Sequence, residues 1–319
     1  ITQTLNSTAG LVVGFRWYCN DTLGNMGDTG IQTLTTSGDW QYAMKLWFNN
    51  TAVIENLINF PVMINLSRAG TDFWNHVGQT SKDLRFVDAD CITDLYFEVE
   101  YWNYAEKKAY VWVKVPRIDA GSTTDFIYVY YGNPSPPESP YNNSAQVWDS
   151  NFRMVHHLEE TSGTQYDSTS NHNDGTPYGS LNKNAIGKID GADGFDGVND
   201  YVNCGNQSSL TVTEMTIEVW VKRLGNGDTA DTGTGGFTGE PIVTKGRAYV
   251  ETLGLNVNYF LGIRQTDKVI GFDFEDNING ANHPIYSNIV MQNNQWYYIA
   301  ITYDGTSKIY VNGTLDNSL

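Results

Sequence analysis

Short segments in which apolar and polar residues alternate recur along the chain. In residues 216–222, Ile217, Val219 and Val221 alternate with polar residues, and Trp220 is the exception on the polar side. A period of two is typical of a strand that buries one face and exposes the other. Further strands are predicted at residues 43–48, 60–66, 84–87, 95–101, 109–115 and 126–131, and at 296–305 and 308–313, which end in Asp-Gly and Asn-Gly turns.

The composition favours strands and turns over helices. Aromatic residues make up 13% of the 319 residues and glycine numbers 31, whereas long runs of strong helix formers are missing. At roughly 150 residues per domain, the length predicts about two domains. We therefore expect an all-β chain of tandem β-sandwiches with few and short helices.

The formal net charge of -17 narrows the possible partners. Such a chain repels phosphate backbones and anionic lipid, so we expect no nucleic-acid partner. No apolar run approaches the roughly 18 residues of a membrane helix, so membrane insertion is not expected. Because the chain starts without Met or an apolar leader, it is interpreted as an interior piece of a longer protein.

Two residue types bear on the cellular compartment. The three cysteines Cys19, Cys91 and Cys204 are far apart and do not indicate a disulfide framework. Seven Asn-x-Ser/Thr acceptors suit a glycosylated surface protein, although roughly five are expected by chance in a chain this rich in Asn, Ser and Thr. The glycosylation candidates are Asn6, Asn20, Asn49, Asn65, Asn142, Asn206 and Asn312.

Three regions of the sequence resemble known families. Residues 83–86, 97–103, 111–116 and 130–134 together resemble domain-of-unknown-function family 2341, which has no assigned biochemical activity. Residues 157–163, 167–175, 194–202, 215–222 and 296–313 resemble, in family order, the laminin G-like, concanavalin A-like jelly roll. Residues 11–25 and 31–35 look like the last hairpin of an immunoglobulin-like domain of microbial, especially archaeal, surface proteins.

These resemblances predict three modules. Residues 1–38 are the terminal strands of the immunoglobulin-like domain, 39–148 the sandwich of family 2341, and 149–319 the jelly roll, with a proline-rich linker at 132–143. The jelly-roll family closes with an acidic, isoleucine-rich strand, which the sequence does not reach before Leu319. We therefore expect a jelly roll that lacks its last strand.

A polar loop at residues 167–175 is the candidate metal site. Asp167, Asn171 and Asp174, with Asn173 beside them, supply the oxygen ligands that calcium prefers, and a structural calcium ion is common in jelly rolls of the class this region resembles. The alternative is an Asx-rich turn whose side chains bind their own backbone.

Aromatic residues of the last module are the candidate ligand-binding residues. Trp220, Tyr259 and Trp296, with Tyr298 near them, could stack on the apolar C–H faces of sugar rings. The alternative is that these residues fill the sandwich core.

Laminarinase-type glycosidases share the jelly-roll fold, so glycosidase activity is an alternative for this chain. Their acidic residues alternate along one strand, which places the nucleophile and the acid/base about 5 Å apart. The nearest pairs here are Glu98 with Glu100 and Asp273 with Glu275, and neither reproduces the Glu-x-Asp-x-x-Glu pattern. We therefore assign no catalytic residues.

The sequence predicts a non-catalytic extracellular or cell-surface protein for adhesion or carbohydrate binding. Its expected partners are polysaccharides, the glycans of glycoproteins, or neighbouring surface-protein chains. Two alternatives remain open. One is a structural surface-layer or filament module without a glycan ligand, and the other is a glycosidase-associated domain.

Overall fold

The computed structural model describes residues 40–246 and 257–319, together with the backbone of four strands between residues 12 and 35. Strands account for 44% of the chain and helices for 7%, which confirms the all-β prediction. The chain divides into two compact units, Ile1–Trp148 and Asp149–Leu319, called unit 1 and unit 2 below.

The first four strands of unit 1 form two antiparallel pairs, with β1 beside β4 and β2 beside β3. Their side chains lie outside the described residues, so the immunoglobulin-like interpretation of residues 1–38 stays a prediction. The glycosylation candidate Asn6 and the side chain of Asn20 also lie outside the described residues. The strands are β1 Val12–Phe15, β2 Tyr18–Asn20, β3 Met26–Asp28 and β4 Gln32–Thr35.

The rest of unit 1 is a sandwich of two three-stranded antiparallel sheets, ordered β5–β10–β7 and β6–β9–β8. Short α-helices follow β6 and β10, and 3₁₀ turns stand at Leu66–Arg68 and Ser81–Asp83. The elements are β5 Tyr42–Trp47, β6 Leu57–Asn65, α1 Gly70–His76, β7 Arg85–Val87, β8 Phe97–Asn103, β9 Lys108–Ile118, β10 Phe126–Tyr131 and α2 Ser144–Val147.

One hydrophobic core joins the two sheets of unit 1. Val111 and Val113 of β9 pack in the same cluster as Ile127 and Val129 of β10, and all four side chains are fully buried. The alternation predicted for residues 109–115 is therefore confirmed. Helix α1 adds Phe73 and its neighbour Trp74 to this core.

Unit 2 is also built of strands, and its helical content in the described part is a single 3₁₀ turn at Ser208–Leu210. The strands are β11 Thr176–Tyr178, β12 Asn182–Ile186, β13 Gly191–Gly194, β14 Tyr201–Asn203, β15 Met215–Lys222, β16 Ala230–Asp231, β17 Thr238–Gly246, β18 Val257–Arg264, β19 Val269–Asp273, β20 Ile285–Val290, β21 Trp296–Tyr303, β22 Ser307–Val311 and β23 Thr314–Ser318.

Two sheets enclose the core of unit 2. A four-stranded sheet ordered β15–β21–β22–β23 and a five-stranded sheet ordered β16–β17–β18–β19–β20 contribute residues to one cluster, in which Ile299 and Ile309 meet Leu261 and Phe272. All four side chains are fully buried. Two facing sheets around one apolar layer define a β-sandwich.

The described helices are short. Helix α1 has seven residues and α2 has four. Within residues 40–246 and 257–319, no helix combines the length and the hydropathy of a membrane-spanning segment.

Candidate functional site

The four-stranded sheet of unit 2 carries aromatic side chains on its outward face, of which Trp220 is exposed and Trp296, Tyr298 and Tyr310 are half-buried. In β21, Tyr297, Ile299 and Ile301 point inward and are buried, so the alternate residues Trp296 and Tyr298 point outward. The same alternation in the neighbouring strands gives Trp220 of β15 and Tyr310 of β22 the outward direction. We call Trp220, Trp296, Tyr298 and Tyr310 the aromatic face.

Strand register brings the members of the aromatic face together. Trp220 lies opposite Tyr298, and Lys222 lies opposite Trp296. The ring centroids of Trp220 and Tyr298 are 5.3 Å apart with 43° between the ring planes, and Trp220 is 39% exposed. Two large rings side by side on a solvated sheet offer a surface on which the C–H face of a sugar can pack.

Charged groups of both signs surround these rings. The ammonium of Lys188 lies 4.9 Å from the Trp220 ring centroid, and that of Lys222 lies 5.1 Å from the Trp296 centroid. The Tyr298 hydroxyl donates to the Glu218 carboxylate. Burial, followed by this carboxylate, raises the pKa of Tyr298, so the phenol stays protonated and keeps donating. The face therefore combines stacking surfaces with donors and an acceptor for sugar hydroxyls.

Sequence reasoning found only part of this arrangement. The sequence contained enough information to place Glu218 beside Trp220. It stands two residues before Trp220 in a strand of period two, so both side chains lie on the same face. The sequence did not place Lys188 there, since it lies in the turn between β12 and β13 and reaches Trp220 only through the fold.

Tyr259 does not belong to the aromatic face. It lies in β18, is 8% exposed and packs in the core cluster of unit 2. Burial raises the pKa of its hydroxyl to about 12. The prediction that Tyr259 binds a ligand is corrected here, because its inward position in β18 makes it a core residue.

The loop predicted to bind calcium is organised by Asp167. One carboxylate oxygen accepts the backbone N–H groups of Val155 at 2.9 Å and Thr169 at 3.0 Å. The other accepts the Thr169 hydroxyl and the backbone N–H of Asn173, both at 2.8 Å. A carboxylate has about four lone-pair sites, so these four donors use the acceptor capacity of Asp167.

The other two predicted calcium ligands also bind protein groups. The Asn171 amide donates to the backbone carbonyls of Phe152 at 3.0 Å and Arg153 at 3.2 Å, and an oxygen of Asp174 accepts the backbone N–H of Asp167 at 2.9 Å. In the part of the chain that the structure describes, no three His, Cys, Asp or Glu side chains are grouped to hold a metal ion. The geometry is that of the Asx-rich turn, and the calcium site stays a prediction.

A small polar pocket adjoins this loop. Its volume is about 220 Å³, and its lining includes His172, Asp174, Asn203 and Cys204. Burial raises the pKa of the Cys204 thiol to about 11, so this cysteine is protonated at neutral pH and is a poor nucleophile.

The carboxylate pair of unit 1 is tied to tryptophan side chains. Glu100 stands at a β-bulge in the pairing of β8 with β9. The indole N–H of Trp148 donates to Glu98 at 2.7 Å, and that of Trp112 donates to Glu100 at 2.5 Å. Glu100 is 5% exposed. These bonds hold Glu100 in the packing of unit 1, and Glu98 is half-buried.

The second pair lies inside unit 2. Asp273 is fully buried and accepts hydrogen bonds from the Thr232 hydroxyl at 2.6 Å, the Asn282 amide at 3.0 Å and the His283 backbone N–H at 2.9 Å. Burial raises its pKa to about 6. Glu275 is 4% exposed and accepts the backbone N–H of Val257 at 3.0 Å. These carboxylates tie loops to the sheet.

Most of the described glycosylation candidates are accessible. Asn49, Asn142, Asn206 and Asn312 are exposed, whereas Asn65 at the end of β6 is half-buried. Whether any of them carries a glycan stays a prediction.

Two family models match the chain, one in its middle and one at its C-terminal end. Residues 195–319 match the concanavalin A-like lectin/glucanases superfamily. Unit 2 carries a concanavalin A-like domain. Residues 80–174 match the domain of unknown function DUF2341, in the order that the sequence predicts. This second match starts later than the module predicted at 39–148 and extends past the division between the two units at residue 149.

Two solved structures are similar to the chain. An S-layer domain-containing protein from Clostridium thermocellum is 21% identical, with 52% of this chain and 71% of that one covered and a TM-score of 0.32. A protein from Bacteroides ovatus that is proposed to bind carbohydrate is 12% identical, with 88% and 65% covered and a TM-score of 0.24. TM-scores this low do not establish a shared fold. No curated protein matches the chain.

Proposed function

We propose that this protein is a non-catalytic carbohydrate-binding or adhesion protein of the cell surface. The observation that carries the proposal is the aromatic face of unit 2, where the exposed Trp220 lies beside the half-buried Tyr298. The concanavalin A-like domain supports it, since that superfamily includes lectins. The exposed acceptor sequences at Asn142 and Asn206 suit a surface location.

The polar groups beside the rings favour an uncharged saccharide. Lys188 and Lys222 carry positive charge beside the rings, and Glu218 carries negative charge beside Tyr298. Such a mixture offers hydrogen bonds to hydroxyl groups without selecting for a charged ligand. Calcium at Asp167, Asn171 and Asp174 stays a prediction from the sequence, and the proposed sugar site does not depend on it.

A glycan array probed with the full chain tests this function. We expect signals on neutral oligosaccharides both with and without chelator, because no part of the aromatic face uses a metal ligand. Silence on every glycan would remove the carbohydrate-binding proposal.

An assembly role is the second candidate. Tyr178 of β11 and Tyr201 of β14 stack at 4.8 Å with 8° between the rings, and they are 44% and 51% exposed. Exposed stacked aromatics can bury themselves against another chain. Self-association that Tyr201→Ser abolishes, without any glycan signal, would favour the surface-layer alternative. Reducing-sugar release from β-glucans would favour the glycosidase-associated alternative, although both carboxylate pairs are buried or bound to protein donors.

A further inference from the structure

Unit 1 carries a second outward-facing row of aromatic side chains. Phe126, Tyr128 and Tyr130 stand at alternate positions along β10, while Ile127 and Val129 between them are fully buried in the core. Trp47 of β5 lies opposite Phe126 in register. We call Trp47, Phe126, Tyr128 and Tyr130 the unit 1 strip.

The rings of the unit 1 strip form one continuous line. Centroid distances are 4.9 Å from Trp47 to Phe126, 5.4 Å from Phe126 to Tyr128, and 6.0 Å from Tyr128 to Tyr130. Trp47 is 57% exposed and the β10 rings are half-buried. The core lies on the opposite side of this sheet, so the line of rings is a surface feature. Its length suits an extended chain ligand.

The positive charge of Lys45 lies beside this line of rings. The Lys45 ammonium lies 4.1 Å from the Phe126 centroid, 5.2 Å from that of Trp47 and 5.5 Å from that of Tyr128. Within the described ranges 40–246 and 257–319, Lys45 has no carboxylate partner and donates no hydrogen bond to the protein. Its three N–H donors are available to a ligand.

The charged residues of the surrounding sheet affect which ligand the unit 1 strip would bind. The three strands β5, β10 and β7 contain no Asp or Glu, although the chain has 36 acidic residues against 19 basic ones. Arg85 of β7 is neutralised by a bidentate ion pair with Asp94, at 2.6 and 3.1 Å. Lys45 is therefore a cation on three strands without acidic residues, and the nearby Asp88 and Asp90 stand in the loop that follows β7.

We propose that the unit 1 strip binds an acidic polysaccharide. Sugar rings would stack on Trp47 and Tyr128, and the Lys45 ammonium would bind a uronate carboxylate. A single ammonium does not form the cationic groove that tracks a nucleic-acid backbone, and the net charge of -17 opposes phosphodiesters at longer range. The site is independent of the neutral-sugar site proposed for unit 2.

Titration calorimetry with the full 319-residue chain tests this proposal. The probes are oligomers of galacturonate, of alginate and of glucuronate, each with a matched oligomer whose carboxyl groups have been reduced to alcohols. We expect at least one uronate oligomer to bind about tenfold more tightly than its reduced form. Lys45→Gln should abolish this preference, and Trp47→Ala should weaken both forms. Ile278→Ala, at an exposed position of unit 2 outside the aromatic face, is the control and should leave every affinity unchanged. The reduced oligomers are neutral sugars of the kind proposed for unit 2, so the titrations are repeated with Trp220→Ala, in which the preference for the uronate form should persist.

Several outcomes would overturn the proposal. The first is equal affinity for each uronate oligomer and its reduced form, and the second is no binding to any of the three uronate oligomers. The third is unchanged binding by both Lys45→Gln and Trp47→Ala, provided that far-ultraviolet circular dichroism shows that these variants fold. Tighter binding of oligodeoxythymidylate that Trp47→Ala abolishes would assign the strip to single-stranded nucleic acid. A dimer that Trp47→Ala dissociates would assign it to a second copy of the chain. Failure of the glycan array at unit 2 leaves these outcomes unaffected.

Discussion

Trp220 and Tyr298 stand opposite each other on paired strands of unit 2, with ring centroids 5.3 Å apart, and both face away from the core. They are 78 positions apart in the sequence, and only the register of β15 against β21 brings them together. The pair is held from one side by the bond from the Tyr298 hydroxyl to Glu218. A sugar would therefore meet a surface that is already arranged before it binds.

Substitutions of Tyr259 test whether this residue belongs to the core of unit 2. Because Tyr259 packs among buried side chains, Tyr259→Ala should lower the free energy of unfolding by about 3–5 kcal/mol, whereas Tyr259→Phe should change it by less than about 1.5 kcal/mol. Urea unfolding followed by tryptophan fluorescence measures both variants. Similar small losses for the two variants would show that Tyr259 is not a core residue.

Asp273 predicts a pH dependence of stability. Its pKa is about 6 in the folded protein and about 4 in an unfolded chain. Between these values the folded state holds more protons than the unfolded state, so the free energy of unfolding falls as pH rises from about 4 through 6 and stays lowered above. Below pH 4 the carboxyl is protonated in both states and has no such effect.

Asp273→Asn isolates this contribution. The stability advantage of the original protein over the variant should shrink by on the order of 3 kcal/mol between pH 4 and pH 7. Asp190 and Asp193, whose pKa values burial also raises, add a slope of the same sign to both proteins, so they cancel in the difference. Parallel stability curves for the two proteins across this range would contradict the prediction.

The hydrogen bonds of Asp167 predict that this residue stabilises the polar loop. Its carboxylate accepts four hydrogen bonds from the protein, so Asp167→Ala should lower the Tm markedly, and the loss should be equal in calcium and in chelator. Differential scanning calorimetry under both conditions gives the comparison. A calcium-dependent rise in Tm that Asp167→Ala abolishes would instead establish the calcium site predicted from the sequence.

The strands that could be predicted from the sequence are those whose own residues favour a strand. Strand β10 was predicted at its observed bounds, and β9, β15 and β21 within a few residues, because each is rich in the β-branched and aromatic residues that favour strands. Strand β19, Val269–Asp273, was not predicted, since it is buried on both faces and shows no alternation. Strand β23 was also missed, because its polar residues make a poor strand that only pairing with β22 stabilises.

The candidate site was predicted less completely than the fold. Trp220 and Trp296 were selected by residue type, and the strand register places both on the aromatic face. Tyr259 was selected on the same grounds, but its position in β18 points it inward. The ligand character of Asp167 was read from loop composition, whereas its hydrogen bonds depend on Val155 and Asn173, which only the folded loop brings within reach.

The central claim is that the aromatic face of unit 2 binds glycans. The most direct measurement is one glycan array probed in parallel with the original protein, Trp220→Ala and the core control Tyr259→Phe. We expect the original protein and Tyr259→Phe to give the same signals on neutral oligosaccharides, and Trp220→Ala to lose about tenfold or more in affinity, which corresponds to about 1.4 kcal/mol. Full retention of those signals by Trp220→Ala, or their absence from the original protein, would contradict the claim.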